Sequence, residues 1–206
     1  MTDPPERRFA DALAKGRAEW AAADPAACAA RAGCRQGADG VVVPLLGTPH
    51  VVGHPDGEVS AEPGRPAHIA VAILLLHYLL GADGTPQAGS WSAYRELPDG
   101  LFYAASFARR AEDPLTRAFA GSPDALDGFR SAARALGGDA LTLGDASFRF
   151  VALPRVELAV VLWAGDDEEP GEARVLFDAN AGRYLPAEDL AGLGGQLAHR
   201  LVGLAR

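Results

Sequence analysis

The segment from Ile69 to Leu80 constrains the fold more than any other part of the sequence. It is apolar almost all round a helix and is interrupted only by His77 and Tyr78. A helix without a polar face has to be buried on most of its sides. The segment is shorter than the roughly 18 to 20 apolar residues that cross a bilayer. The sequence therefore predicts a buried central helix from Pro66 to Leu80 that ends at Gly81.

The other elements are grouped by type along the chain. Short Val- and Leu-rich runs between Val41 and about Val59 are typical of an antiparallel meander. Strand-like runs that lie apart from helix-like runs favour an α+β fold over a parallel sheet. At 206 residues we expect a single α+β domain, residues 1–206, with small antiparallel sheets packed against the buried central helix and several amphipathic helices. The remaining predicted helices are Glu6–Ala22, Pro25–Gly33 with Asp24 as its cap, Gly100–Ala120, Pro123–Leu136 and one from Pro186 onward. The remaining predicted strands are Leu141–Leu143, Ser147–Leu153, Glu157–Trp163 and Arg174–Asp178.

The charge balance argues against two classes of partner. The chain has 27 acidic and 19 basic residues, a formal net charge of -8, and its basic residues are scattered. Nucleic acids and anionic membranes bind concentrated positive charge, so we expect neither as a partner. A small molecule or a partner protein stays open. The first residues contain no apolar stretch of the kind that a secretory signal needs, so we expect a soluble protein of the cytoplasm.

The common catalytic motifs are missing from the sequence. Lys15, the only lysine, lies in a helical pattern without the glycine loop of a nucleotide-binding P-loop. The serines do not occur in a G-x-S-x-G context. Cys28 and Cys34 have a C-x5-C spacing that matches no common metal or redox motif. We expect both cysteines to be small buried residues, with a redox pair or two metal ligands as the alternative. Whether the protein is an enzyme stays open.

The densest charge lies in the turn between two predicted strands. Asp166 and Asp167 begin a run of four acids, and Asp178 ends the strand that follows. Mg²⁺ and Ca²⁺ prefer several carboxylate oxygens as ligands, so these three aspartates are the candidate metal ligands. The alternative is a solvated turn whose acids keep the end of a sheet soluble. Because four adjacent exposed acids repel one another, we expect no tight metal site at Asp166 and Asp167.

A second candidate site follows the glycine-rich loop from Gly81 to Ser90. Trp91, Tyr94, Arg95 and Tyr103 come after it, at the junction with the next predicted helix. Aromatic faces beside a guanidinium can hold a planar or anionic ligand, and a flexible loop can admit it. The alternative is that the aromatic residues fill the core while Arg95 pairs with a nearby carboxylate.

Several segments spread along the chain carry a family resemblance. They are Ile73–Leu79, Trp91–Pro98, Leu153–Arg155, Trp163–Asp166, Leu176–Asp178 and Tyr184–Asp189. In them the sequence resembles the prokaryotic family catalogued as domain of unknown function 3786, over nearly the whole chain. The resemblance implies an accessory role near iron–sulfur or corrinoid one-carbon chemistry, since some relatives carry an added N-terminal, cysteine-rich iron–sulfur segment. The present sequence has no such segment, and the resemblance assigns no cofactor and no residue role.

Three function classes remain. The first is an accessory module, with weak or no catalysis, that binds a small ligand or a partner protein; it follows from the missing catalytic motifs. The second is a metal-assisted hydrolase or transferase that uses the acidic turn around Asp166. The third is a structural or interaction protein.

Overall fold

The computed structural model describes residues 5–62, 65–165 and 168–205. Contacts divide these residues into two compact units. Unit 1 contains the described residues up to Pro86, with Leu153–Arg155 and Arg183–Leu185. Unit 2 contains the described residues of Gln87–Ala152 and Val156–Gly182 and those from Pro186 onward. In the described chain each unit holds helices and one antiparallel five-stranded sheet, which confirms the predicted α+β class.

Unit 1 is built round one buried helix. Helix α3 (Ile69–Gly81) buries Leu75, Leu76 and Leu79 completely, as its apolar sequence predicts. Helix α1 (Pro5–Ala22) packs against it. Unit 1 also contains helix α2 (Pro25–Ala32) and strands β1 (Arg35–Gln36), β2 (Val41–Leu45), β3 (Thr48–Val52), β4 (Val59–Glu62) and β5 (Arg65–Pro66), which pair in the order β1-β2-β3-β4-β5. The predicted meander is confirmed.

The predicted start of helix α2 is confirmed, whereas the predicted start of helix α3 is wrong. Asp24, the predicted cap of α2, accepts hydrogen bonds from the backbone N–H groups of Ala26 and Ala27. Helix α3, however, begins later than predicted, because Pro66 lies in β5, which pairs with β4. The cap of α3 is His68, whose Nδ1 accepts from the N–H of Ala70 at 3.3 Å.

Unit 2 contains the second sheet and the remaining helices. The strands β6 (Trp91–Ala93), β7 (Asp139–Ala140), β8 (Ala146–Leu153), β9 (Val156–Trp163) and β10 (Glu172–Asp178) pair in the order β6-β10-β9-β8-β7. The helices are α4 (Gly100–Phe107), α5 (Asp113–Phe119), α6 (Pro123–Ala135) and α7 (Ala187–Leu204). β9 lies at the centre of the sheet, and its residues from Leu158 to Leu162 are buried. Strands β8, β9 and β10 and helices α6 and α7 confirm the predicted elements.

The predicted strand Leu141–Leu143 is wrong. The strand in this part of the chain is the short β7, and Leu141 follows it. The backbone N–H of Leu141 donates to the carbonyl of Ser147, and that of Leu143 donates to the Ser147 hydroxyl, each at 2.9 Å. The backbone bond continues the register of β7 and β8 by one residue, and the side-chain bond from the Leu143 amide to the Ser147 hydroxyl then takes the place of further strand pairing.

The predicted helix Gly100–Ala120 is interrupted by a π turn. Between α4 and α5, residues Ala108–Glu112 form this turn, in which the N–H of Asp113 bonds to the carbonyl of Ala108, five residues back. Pro114 follows at once and has no N–H for a regular helical bond. Four fully or almost fully buried residues lie four apart, Phe107, Ala111, Leu115 and Phe119. A four-residue step overshoots a helical turn by about 40°, and the wider π turn helps to keep these residues on one side.

Two side chains from this helical region bond to β10 where β6 does not reach. β6 pairs with β10 only from Leu176 to Asp178. Before that, Val175 donates its backbone N–H to Oε1 of Glu112 at 3.2 Å, and Ala173 donates to Oγ1 of Thr116 at 3.0 Å. Glu112 and Thr116 are one helical turn apart, while alternate strand amides point to the same edge. The helices thus satisfy an edge that would otherwise be unpaired.

Within the described residues, no helix is both long enough and apolar enough to cross a membrane.

We predict that the whole chain unfolds in one cooperative transition, as expected for a single domain. Each unit is assembled from separate segments of the chain, so neither forms from one continuous stretch. Circular dichroism at helix- and strand-sensitive wavelengths and calorimetry should give coincident melting curves. Two resolved calorimetric transitions would contradict the prediction.

We predict that Glu112→Ala lowers the free energy of unfolding by about 1–3 kcal/mol, because it leaves the buried N–H of Val175 without an acceptor. Glu112→Gln keeps an acceptor oxygen and should cost less. Burial raises the pKa of Glu112 above its ordinary value of 4.5, against the opposing effects of Val175 and Arg174. The raised pKa therefore adds a stabilising contribution that is fully present below pH 4.5 and is lost as the pH rises through the raised value, while the hydrogen bond from Val175 remains in either protonation state.

Urea unfolding at several pH values measures this effect. Relative to Glu112→Gln, the wild type should gain stability as the pH falls from 7 towards 4.5. A constant difference between the two proteins would show that Glu112 does not titrate as described.

Candidate functional site

Trp91 and Tyr94 hold structural positions in unit 2. Trp91 is half-buried in β6, directly opposite Asp178 of β10. Tyr94 begins the 3₁₀ turn Tyr94–Glu96 and is buried. Its ring stacks on Phe107 with ring centres 4.2 Å apart, and its hydroxyl donates to the carbonyl of Ala187 at 2.9 Å. Burial raises the pKa of this hydroxyl. Tyr94 thus joins the turn to α4 and to the start of α7.

The other two residues of the predicted aromatic site lie at the surface. Arg95 is exposed in the 3₁₀ turn, and Tyr103 is 51% exposed in α4. Tyr103 lies near enough to Tyr94 to contribute to the raised pKa of the latter hydroxyl. The structure thus places Tyr94 in the core and leaves Arg95 and Tyr103 at the surface. A site formed by all four residues stays a prediction.

Close packing fixes the start of α4 near Tyr94. A Cβ atom on Gly100 would overlap the carbonyl oxygen of Tyr94. Asp99, just before it, has a left-handed backbone with φ of 60°. Only glycine leaves room for this approach, so the sharp turn from the 3₁₀ segment into α4 depends on Gly100.

The glycine-rich loop is held by side chains in unit 1. Arg183 donates from Nε to Asp83 at 2.7 Å and to the hydroxyl of Thr85 at 2.9 Å. Tyr184 donates its hydroxyl proton to the carbonyl of Thr85. Hydrogen bonds from Thr85, followed by the nearby Arg183, lower the pKa of Asp83. The loop was expected to be flexible, and these bonds restrain its first half.

Asp178 holds the second half of the loop in unit 2. Its carboxylate is buried and accepts backbone N–H groups from Ala88 and Asn180 at Oδ1 and from Gly89 at Oδ2, at 2.9 to 3.0 Å. A carboxylate with three amide donors has its lone pairs directed at the backbone. In the structure Asp178 therefore anchors a loop, a role that its position at the end of a strand did not reveal.

The other two candidate metal ligands, Asp166 and Asp167, lie outside the described residues. Among the described residues, no group of three or more His, Cys, Asp or Glu side chains is arranged to hold a metal ion. The acidic turn as a metal site therefore stays a prediction, and so does the enzyme that would use it.

The two cysteines are free thiols in unit 1. Cys28 is buried, and its Sγ accepts a hydrogen bond from Arg31 at 3.4 Å. Cys34 is half-buried, and burial raises the pKa of its thiol to about 12. Because the thiolate is the reactive form, Cys34 is poorly suited to nucleophilic or redox chemistry.

An exposed apolar surface lies on the first turn of α4. Leu101 is 71% exposed, Phe102 is 85% exposed and Tyr103 is 51% exposed; we call these three residues the α4 patch. Sequence reasoning chose Tyr103 and missed the other two. The sequence does carry a signal for this exposure, namely three large apolar residues in a row. Three consecutive residues span about 200° of a helix, so one buried face cannot cover them all.

A family model with the description "Domain of unknown function (DUF3786)" matches residues 24–200. This range covers α2 and both sheets, and it includes the α4 patch. No curated protein matches the chain, and no solved structure matches it.

We predict that Asp178→Asn lowers the free energy of unfolding by about 1–3 kcal/mol, because one of its two acceptor positions becomes an amide that faces an N–H donor. Chemical unfolding measures the change. Asp11→Asn, the same substitution at an exposed position of α1, should stay within about 0.5 kcal/mol of the wild type. Equal stability of the wild type and Asp178→Asn would refute the anchoring role.

Proposed function

Since the chain belongs to the DUF3786 family, whose description assigns no activity, we propose from its own surface that it is an accessory module that binds a partner protein through the α4 patch. The observation that carries the proposal is the exposure of Leu101, Phe102 and Tyr103 side by side. Adjacent exposed large apolar side chains are typical of protein interaction sites. Buried aromatic residues supply much of the binding energy at such interfaces.

The charge beside the α4 patch favours one kind of partner. Beyond the patch, the stretch from Ala104 to Ala111 contains Arg109 and Arg110 and no acidic residue, whereas exposed Asp99 precedes Leu101. Arg109 is exposed and donates to the hydroxyl of Ser106 at 3.3 Å. Ser106 lies one helical turn beyond Phe102. A partner with an apolar anchor and an acidic group placed opposite Arg109 complements this arrangement.

The family resemblance adds a class of partner to this proposal. It supports a cytoplasmic iron–sulfur or corrinoid protein of one-carbon or redox metabolism as the binding partner. The identity of the protein that the chain captures from a cell extract tests this class of partner separately. Binding through the α4 patch does not depend on which class the partner belongs to.

We predict that Leu101→Ser combined with Phe102→Ser weakens partner binding by about 30-fold or more, which corresponds to a loss of about 2 kcal/mol at an interface hot spot. The protein, attached to a resin, captures partners from an extract of its source cells. The captured protein is then purified, and calorimetry measures its affinity for the wild type and for the variant. Both chains should unfold at similar urea concentrations, because the replaced side chains are exposed.

Leu204→Ser is the matched control, since Leu204 is 50% exposed at the end of α7. It should bind the purified partner like the wild type. Equal affinity of the partner for the double variant and the wild type would refute the proposal. Sedimentation that shows a wild-type dimer and a monomeric double variant would assign the α4 patch to a second copy of the chain instead.

A further inference from the structure

A pocket of about 330 Å³ lies in unit 1, where helix α1, strands β4 and β5 and the start of helix α3 meet; we call it the α1 pocket. Its size is within the range of small-molecule sites. Most of its wall is apolar, and each of these elements contributes to it: Leu13, Val59, Pro66, Ala67, Ile69 and Ala72. Val59 and Ala72 are themselves buried, so the pocket reaches down to the core of unit 1.

Arg17 places a cation at the α1 pocket. It follows Leu13 by one helical turn, on the same face of α1. Its Nε donates to the carbonyl of Gly57 at 3.4 Å, and its stem packs so closely on Gly57 that a Cβ atom there would lie 2.9 Å from the Arg17 Cγ. Within the described part of the chain, the two Nη groups of Arg17 have no hydrogen-bond partner. The half-buried guanidinium is therefore held by its stem and can bind an acceptor in the pocket.

Glu58 places the opposite charge at the same pocket. It lies just before β4 and is exposed. Its carboxylate pairs with no other described side chain, and so not with Arg17, although both residues line the pocket. Arg65 also lines the pocket and already has an interaction within the protein. Among the described residues, the pocket thus combines an apolar wall with one cation and one anion that are each open to a ligand.

This combination of charges favours a zwitterion over a simple ion. A small anion would be attracted by Arg17 and repelled by Glu58, and a small cation would meet the reverse. A molecule that carries both a carboxylate and an ammonium group is attracted by both residues. A guanidinium binds a carboxylate in a forked geometry, and an apolar side chain on the same molecule gains by covering the apolar wall.

We propose that the α1 pocket binds a small zwitterion with an apolar side chain, whose carboxylate contacts Arg17 and whose ammonium group contacts Glu58. The shared chemistry is that of an amino acid, which either a free amino acid or a dipeptide supplies. The proposal is independent of the α4 patch, because the pocket lies in unit 1 and the patch lies in unit 2.

NMR titration of the whole chain tests the pocket with L-leucine and with glycyl-leucine. Both probes are zwitterions with the same apolar side chain, but their charges are separated by different distances, so the better ligand identifies the source. We predict a Kd below about 1 mM for at least one of them. The largest shifts should occur at amides of residues that line the pocket, among them Val59, Ser60, Ala67 and Ala72.

Two analogues of the better probe each lack one charge. Its amide has no carboxylate and should bind about tenfold more weakly, because a charge-assisted contact to the half-buried Arg17 is lost. Its deaminated analogue has no ammonium group and should bind about threefold more weakly, because Glu58 is exposed and its contact is screened by solvent.

Variants then assign each contact to one residue. Arg17→Met keeps the stem against Gly57 and removes the guanidinium, so it should weaken binding of the zwitterion about tenfold and should not weaken binding of the amide. Glu58→Gln should weaken the zwitterion about threefold and should not weaken the deaminated analogue. Arg35→Met is the matched control, at an exposed position of β1 that does not line the pocket, and it should bind the zwitterion like the wild type.

Four results would overturn the proposal. They are the absence of binding by both zwitterions, shifts that lie away from the residues lining the pocket, an equal loss of affinity in Arg35→Met and Arg17→Met, and an equal weakening of the amide and the zwitterion by Arg17→Met. The last result would show that Arg17 supports the shape of the pocket without contacting a carboxylate.

Discussion

The bonds from Glu112 and Thr116 to strand β10 hold the helical side of unit 2 to its sheet. Val175 and Ala173 donate their amides to these two side chains, and Glu112 also accepts from Arg174 at 3.3 Å. A buried amide without an acceptor is costly. These bonds therefore fix one rotation of the helical segment against the strand, and that rotation decides which of its side chains face outward.

The surface proposed to bind a partner protein follows from this arrangement. With Phe107 and Ala111 in the core, Leu101 to Tyr103 of α4 and Arg109 and Arg110 of the π turn are exposed. The same segment thus presents an apolar surface at one end and Arg110 at the other. Helix α7 packs against both α4 and the π turn. The fold of unit 2 needs the buried residues, whereas the exposed ones have no role in its core.

Elements determined by local sequence could be predicted. The apolar run of α3, the capping Asp24 and the β-rich stretches of β8 to β10 each carry their own signal. The position of the π turn could not be predicted from local sequence, because it depends on packing against β10 and α7. Pro114, which follows the turn, is the one local signal of it. The strand predicted at Leu141–Leu143 is wrong, because the amide of Leu143 donates to the Ser147 hydroxyl and not to a neighbouring strand.

The candidate site was harder to predict than the fold, because it depends on which polar groups the tertiary structure uses internally. The sequence predicts Asp178 as a metal ligand. In the structure its oxygens accept hydrogen bonds from backbone amides. The sequence predicts Tyr94 as a ligand-binding aromatic residue. In the structure its ring stacks on Phe107 and its hydroxyl donates to the carbonyl of Ala187. The most exposed apolar side chain of the α4 patch, Phe102, was passed over because sequence reasoning looked for aromatic residues beside a cation.

Residue-resolved hydrogen exchange of β10 tests the central role of its helical edge most directly. Amides of alternate residues in the strand point to opposite edges, so Arg174 serves as a reference that faces β9. We expect Ala173 and Val175 to be protected to a degree similar to that of Arg174, because side-chain acceptors close their edge. Exchange of Ala173 and Val175 at the rate of an open edge strand, with Arg174 still protected, would contradict this account.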